Sequence, residues 1–465
     1  MSTLAAARLV PPCIAPPARP LGGLRFVASF VRNPLSVVPR AAYEEDFVYS
    51  GGARPFAWIT APALIRAVLL DERDKYRKRS QIRLLAPLLG AGVLTSEGEH
   101  WKWQRQAVAP LFRRQELARF VPQFVRAAQD EVARWRASPP GTVQPIERCM
   151  TRVTFDVISA TLLPSADDTV APEVERSMGE FQGAGAWGVL YAVANAPQWL
   201  PQPGRSRGER AALALRRAVA AMLRERRAGG QADDLMHRLM AARDPETGQA
   251  MNDEQLIDNL LTFYLAGHET TAKALTWTLY LLARSPEWSE RLREEVAGAT
   301  GGAPVTAENV ERLALVEQVL KESMRLYPPV PLMSRQAVAD TRLGPLGIRA
   351  GTSVVLPIYA AHRHRRRWRD PDAFDPTRFT PENEAAIERF QYLPFGAGPR
   401  ICIGMAFAML EATAMLATFA QHCRFETVPG GEPEPIARVT LVPRGGMPLK
   451  VWTGVGGERM LGQPH

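Results

Sequence analysis

FGAGPRICIG, residues 395–404, places Cys402 in a run that also holds Gly396, Gly398 and Gly404. Glycine is used where the backbone needs a positive φ or must come close to something. A cysteine on such a turn is either a poorly packed core residue or a thiolate offered to an electrophile. The next stretch, MAFAMLEATAMLATFAQHC (405–423), is strongly helical, so Cys402 falls just before or at a helix N-terminus. There the helix dipole and the free backbone N–H groups favour an anion. Gly404 allows close approach, and Pro394 and Phe395 can shield the sulfur. A shielded thiolate without an adjacent histidine base is a poor protease nucleophile but a good metal ligand.

The remaining cysteines, Cys13, Cys149 and Cys423, form no C-x-x-C pair and no regular framework. A disulfide scaffold or a zinc site is therefore not expected, and reduced thiols fit a cytoplasmic setting. At 465 residues and 46% hydrophobic content the chain can bury a large core. A formal charge of +9 admits nucleic acid, anionic lipid or an acidic protein as partner. A solvated surface from an arginine-biased bacterial genome explains it equally, and no short nucleic-acid-binding signature is present. No run of ~20 apolar residues occurs, so no membrane span is expected. Residues 1–25, rich in Ala and Pro, read as a flexible or loosely docked tail ahead of a single domain over 26–465.

From about residue 60 the periodicity is mainly helical, with a smaller β part read at TSVVLPIY (352–359), ARVTLV (437–442) and PLKVW (448–452). The best-marked helix starts after Asn252, an N-cap with Gln255 at N3, and runs to the Ser285–Pro286 stop. Its centre reads Ala266, Gly267, His268, Glu269, Thr270, Thr271. An interior glycine costs about 1 kcal/mol relative to alanine, and buried polar groups cost more without partners. One reading is a kink or a tight helix crossing. The other is a ligand lying on the small-residue face of Phe263, Ala266, Gly267 and Thr270, which share one side by spacing. Glu269 and Thr270 would then set an acid and a hydroxyl beside it, as a proton relay requires.

Other signals are weak singly. Glu322 and Arg325 meet at i, i+3, worth little on a surface. Trp101 and Arg105 sit at i, i+4, Arg335 follows the loop YPPVPLMSR, and Arg400 precedes Cys402 by two residues. Arginine is the usual choice for holding a carboxylate in a fixed orientation. An axial thiolate on haem iron, which favours O–O cleavage, would use all of these.

Together these residues resemble the cytochrome P-450 superfamily. FGAGPRICIG matches its F-x-x-G-x-R-x-C-x-G signature completely, and AGHETT its A-G-x-[DE]-T-T pattern. Glu322 and Arg325 match E-x-x-R; Pro376, Arg378 and Phe379 match P-x-R-F; Trp101 and Arg105 match W-x-x-x-R. The matches follow the expected order over residues 98–411.

The resemblance implies a mainly α fold with a smaller β region, a long central helix over haem, and a haem-thiolate loop before a C-terminal helix. It implies haem b held by Cys402, with Trp101, Arg105, Arg335 and Arg400, and less clearly His100, on the propionates. Ala266 and Phe395 would lie against the haem, and Glu322, Arg325 and Arg378 would form a buried structural triad. Glu269 and Thr270 would deliver protons for monooxygenase chemistry; relatives that use peroxide directly tend to lack that pair. Phe263, Val330 and Leu332, beneath a lid over residues 187–204, would line a pocket for a fatty acid, terpenoid or steroid-like molecule. With no anchor and no fused reductase expected, a soluble monomer would take electrons from a ferredoxin or flavodoxin with its reductase. The basic run HRHRRRWRD (362–370) is a candidate docking site, with a solvated charge run as the plain alternative. A haem-thiolate binding or sensor protein is the rival function, and the acid–hydroxyl pair at 269–270 argues against it.

Overall fold

Asp253–Ala283 is one 31-residue helix whose start is a complete capping box between Asn252 and Gln255. This is the computed structural model of the chain, which describes residues 8–50, 55–162, 185–193, 197, 199–229, 234–244 and 246–454. The long helix is apolar on most of its circumference because helices surround it. Ile146–Leu162, Arg205–Gly229, Ala314–Leu326 and Met405–His422 all pack on it. Trp277 anchors its C-terminal half, stacked on Tyr327 with ring centroids 4.0 Å apart, and its indole N–H donates to Leu441 O at 3.0 Å. Aromatic stacking plus a satisfied indole donor makes this a costly contact to open.

The β part is larger than its sequence signal. A five-stranded sheet runs in the order Phe47–Ser50, Phe56–Ile59, Ser353–Leu356, Met333–Ala337, Tyr76–Arg77. Three of these strands come from the first half of the chain, where none was read from the sequence. Phe56–Ile59 pairs parallel to Ser353–Leu356, and Arg335 lies opposite Val354. A three-stranded sheet joins Thr142–Pro145, Pro448–Thr453 and Cys423–Thr427. ARVTLV is not one strand. Ala437 pairs with Leu441, so residues 438–440 are the turn of a hairpin between Pro435–Ala437 and Leu441–Pro443. TSVVLPIY likewise ends its strand at Leu356, and Pro357 caps the short helix Ile358–Ala361; proline removes the donor a further strand residue would need.

Two contacts of the N-terminal segment bear on the core. The Tyr327 hydroxyl donates to Pro12 O at 2.7 Å, and Ile14 N–H donates to the Tyr359 hydroxyl at 3.2 Å. Glu322, Arg325 and Arg378 come together behind the helical layer. Arg325 makes two bonds to Glu322, at 2.7 and 2.8 Å, and three to the carbonyls of His362, Pro371 and Ala373. Arg378 lies 3.4 Å from the same carboxylate. Loss of one member would leave a buried charge unpaired, which is strongly destabilising.

The arginine run does not face outward as five free cations. Arg363 is buried, with its guanidinium 3.9 Å over the Tyr359 ring. Arg365 pairs with Asp372 at 2.7 Å, Arg366 with Glu45 at 2.5 Å, and Arg367 with Asp46. Of the five, Arg369 is the one that stands well clear of the surface, 3.9 Å from Asp370. Nearby acids of the chain's own fold answer the charge that was expected to attract a partner.

Candidate active site

From Asp258 to Leu282 the central helix is buried except where Ala266 is exposed and Gly267 and Thr270 are half-buried. These are the small residues of one face. The Thr270 hydroxyl donates to Ala266 O at 2.8 Å, a local bond that keeps its oxygen on that face. Phe263 is buried one turn before, edge-on to Phe112 at 5.4 Å. Val330 and Leu332 are half-buried on the loop that follows Ala314–Leu326. The proposed lid is only partly regular. Residues 187–193 belong to the helix Gly185–Val193, and residues 194–196 and 198 lie outside the described residues.

Cys402 sits on the loop that precedes Met405–His422, two residues before the Gly404 N-cap. Gly396 and Gly398 have φ of 70° and 72°, the left-handed region that glycine takes without strain. A Cβ on Gly398 would fall 2.2 Å from Leu69 O, so only glycine fits. The Cys402 N–H donates to Phe395 O at 2.9 Å, which closes the loop. The sulfur is solvent-accessible, yet the surrounding protein is dense enough to push the thiol above its ordinary value. Burial is the main cause; the Gly404 N–H and Arg105 pull the other way without overcoming it. Both facts hold for a sulfur lining an internal cleft. The helix-end effect expected from the sequence thus does not overcome burial at Cys402.

Around the cleft stand cations with few acids. Arg400 lies 3.8 Å over the Trp101 ring and donates to Ser96 O at 2.9 Å. Burial pulls Arg400 down to about 10 and Arg335 down to about 10, and it also lowers Arg105. Lys78 joins them and is brought down to about 7, first by burial and then by Arg400 and Arg335. Its ammonium donates to Leu94 O. Glu97 is the acid that offsets Arg335, Arg400 and Lys78. Lys78 was not legible in the sequence, being one of a basic run, RKR. It reaches the site because the strand Tyr76–Arg77 pairs with Met333–Ala337, which carries Arg335. His100 is exposed and edge-on to Trp103, with ring centroids 6.1 Å apart.

Glu269 is buried one helix position from Thr270. Its Oε1 accepts from the Thr440 hydroxyl at 2.7 Å, and Lys273 is near enough to favour its ionised form. Burial is stronger and raises the carboxyl above its ordinary value. A second buried acid, Glu411, faces the Thr271 hydroxyl from Met405–His422 and is pushed up to about 8 by burial. Its only trace in the sequence is a lone acid in an apolar helix.

A haem suits this donor set. Among the described residues no cluster of three His, Cys, Asp or Glu side chains could hold a metal. A metal at Cys402 must therefore bring its other ligands, as porphyrin iron does. The under-neutralised cations suit two carboxylates, and the exposed face at 266–270 suits a flat apolar body. Among the described residues no helix is long and apolar enough to cross a membrane.

Comparison with known proteins places the same residues in context. A family model described as Cytochrome P450 matches residues 37–450. Cyclooctat-9-en-7-ol 5-monooxygenase of Streptomyces melanosporofaciens is 32% identical over 370 residues, 79% of this chain and 80% of that protein. Cytokinin hydroxylase of Arabidopsis thaliana is 31% identical over 423 residues, 88% of this chain and 80% of that protein. The crystal structure of the cytochrome P450DA heme domain superposes with a TM-score of 0.82 at 28% identity, covering 95% of this chain and 98% of that one.

Proposed function

The chain belongs to the cytochrome P450 family, a haem-thiolate monooxygenase by that membership, and from this premise we propose that Cys402 supplies the thiolate. The observation that carries the assignment is the accessible sulfur beside Arg105, with Lys78 buried and Arg335 and Arg400 half-buried nearby, where Glu97 is the acid that offsets them. When bound, the haem supplies oxygen activation. Trp101, Arg105, Arg335, Arg400 and Lys78 would hold its carboxylates, and Ala266 and Phe395 would lie against its body. Thr270 holds a proton at Oγ1 on the exposed face, and Glu269 replenishes it from the buried side.

The substrate is a hydrophobic small molecule of the fatty-acid, terpenoid or steroid-like class. Phe263, Val330 and Leu332 supply apolar contacts and no fixed charge to select a polar one. Electrons come from a separate ferredoxin or flavodoxin with its reductase, and residues 26–465 act as one catalytic domain. The test is the ferrous carbonyl spectrum of the purified holoprotein, followed by substrate oxidation with added redox proteins. Thiolate ligation gives the red-shifted band, and Cys402→His should lose it. An unchanged band in that variant sinks the assignment.

A further inference from the structure

Thr440 and Glu269 are 171 residues apart and both buried, and a 2.7 Å hydrogen bond joins them. Thr440 closes the turn 438–440 of the C-terminal hairpin, where Arg438 N–H donates to Thr440 O at 2.8 Å. Its neighbour Leu441 is held on both sides. Leu441 N–H donates to Pro329 O at 2.9 Å, and Leu441 O accepts from the Trp277 indole at 3.0 Å. Pro329 directly precedes Val330, and Trp277 lies two turns beyond Glu269 on the central helix. The hydroxyl that meets the acid is therefore fixed by the same loop that lines the pocket and by the helix that carries the acid.

We propose that Thr440 is a positioning residue for the monooxygenase: its hydroxyl fixes the Glu269 carboxyl and sets when that carboxyl can release a proton toward Thr270. The proposal rests on the reading of Glu269 as the relay acid. Besides burial, Lys273, Glu147 and Thr440 act on the ionisation of Glu269. Lys273, four residues on along the same helix, favours the carboxylate, although its ammonium bonds Glu147 Oε1 at 2.8 Å. Glu147, facing from Ile146–Leu162, opposes it. The Thr440 hydroxyl, facing from the hairpin, favours it. Burial works against all charge here, so each donor counts for more than it would in water. A hydroxyl that donates to one carboxylate oxygen also fixes the orientation of the carboxyl, and the Leu441–Pro329 bond ties that orientation to the pocket loop.

The experiment compares Thr440→Val, Thr440→Ser and Glu269→Gln in the holoprotein. Difference infrared titration reads the Glu269 carboxyl directly, with the band assigned by its loss in Glu269→Gln. In Thr440→Val the band should titrate at higher pH than in wild type, because a donor to the carboxylate is gone; Thr440→Ser should restore it. The pH at which product formed per NADPH reaches half its maximum should move the same way. Coupled turnover at neutral pH should fall roughly tenfold, with substrate spectral affinity within about twofold of wild type. An unmoved band in Thr440→Val overturns the proposal alone. Wild-type coupling in Glu269→Gln overturns the relay reading and the catalytic half of the proposal with it.

Discussion

Replacing Glu411 with glutamine should make the protein more stable, and more so as pH rises. Glu411 is 2% exposed, and its Oε2 has no hydrogen-bond partner among the described residues. Its carboxyl is pushed from 4.5 up to about 8 by burial, with the Thr271 hydroxyl a smaller opposing influence. In the unfolded chain it titrates near its ordinary value. The folded state therefore binds the extra proton between those limits, and stability is intact below the lower value and lost as pH rises to the upper one. At about 1.4 kcal/mol for each pH unit, the full penalty is about 5 kcal/mol. It is about 3 kcal/mol at pH 7 and about 1 kcal/mol at pH 5. Glutamine keeps the shape and never ionises, so Glu411→Gln escapes the difference. A 465-residue chain unfolds with an entropy of about 1 kcal/mol/K. The variant's gain in Tm should thus widen by about 2–3 °C between pH 5 and pH 7. Differential scanning calorimetry of the ferric holoprotein at the two pH values measures it. A gain that is flat with pH, or a loss that grows with it, would refute the claim that Glu411 is held protonated.

Thr270→Ala should retain haem but consume NAD(P)H with release of peroxide, because the hydroxyl on the exposed face of the central helix is gone; product-to-NAD(P)H ratios equal to wild type would place the relay elsewhere. Lys78→Gln should lose haem to an apoprotein acceptor several-fold faster, since one of the cations short of acids is removed; transfer at the wild-type rate would take Lys78 out of the site. Replacing Arg365, Arg366 and Arg367 together by glutamine should lower Tm, because their partners Asp372, Glu45 and Asp46 lose their ion pairs. It should leave the salt dependence of reduction by a ferredoxin close to wild type, and a flattened dependence would restore those arginines as a docking surface.

The parts of this fold that the sequence displays are those with local physical signatures. Asn252 and Gln255 cap the central helix because two side-chain acceptors three residues apart satisfy each other's backbone N–H groups, a purely local arrangement. Cys402 announces itself because its loop needs Gly396 and Gly398 at positive φ, and Gly398 passes too close to Leu69 for any side chain. The strands Phe47–Ser50 and Phe56–Ile59 left little trace, since four residues are too few to show a period beside strong helices. Thr440 was hidden for another reason: a turn residue in the last thirty described positions meets a helix 171 residues earlier only through tertiary packing.

The two arginine-rich features of the chain show why a charge count could not separate site from surface. Arg365, Arg366 and Arg367 are consecutive in sequence and conspicuous, and each has an acid of the same fold at salt-bridge distance. Arg105, Arg335 and Arg400 are scattered over nearly 300 residues, and burial draws all three down while Glu97 offsets part of the cost at Arg335 and Arg400 and Cys402 part of it at Arg105. A fold does not gather partly desolvated cations without return, because a cation withdrawn from water costs free energy unless it is paired. The dispersed set is therefore the one that calls for an outside anion, and the conspicuous set is already answered. What distinguishes them is the balance of charge after folding, which depends on Glu45, Asp46, Glu97 and Asp372 as much as on the arginines themselves.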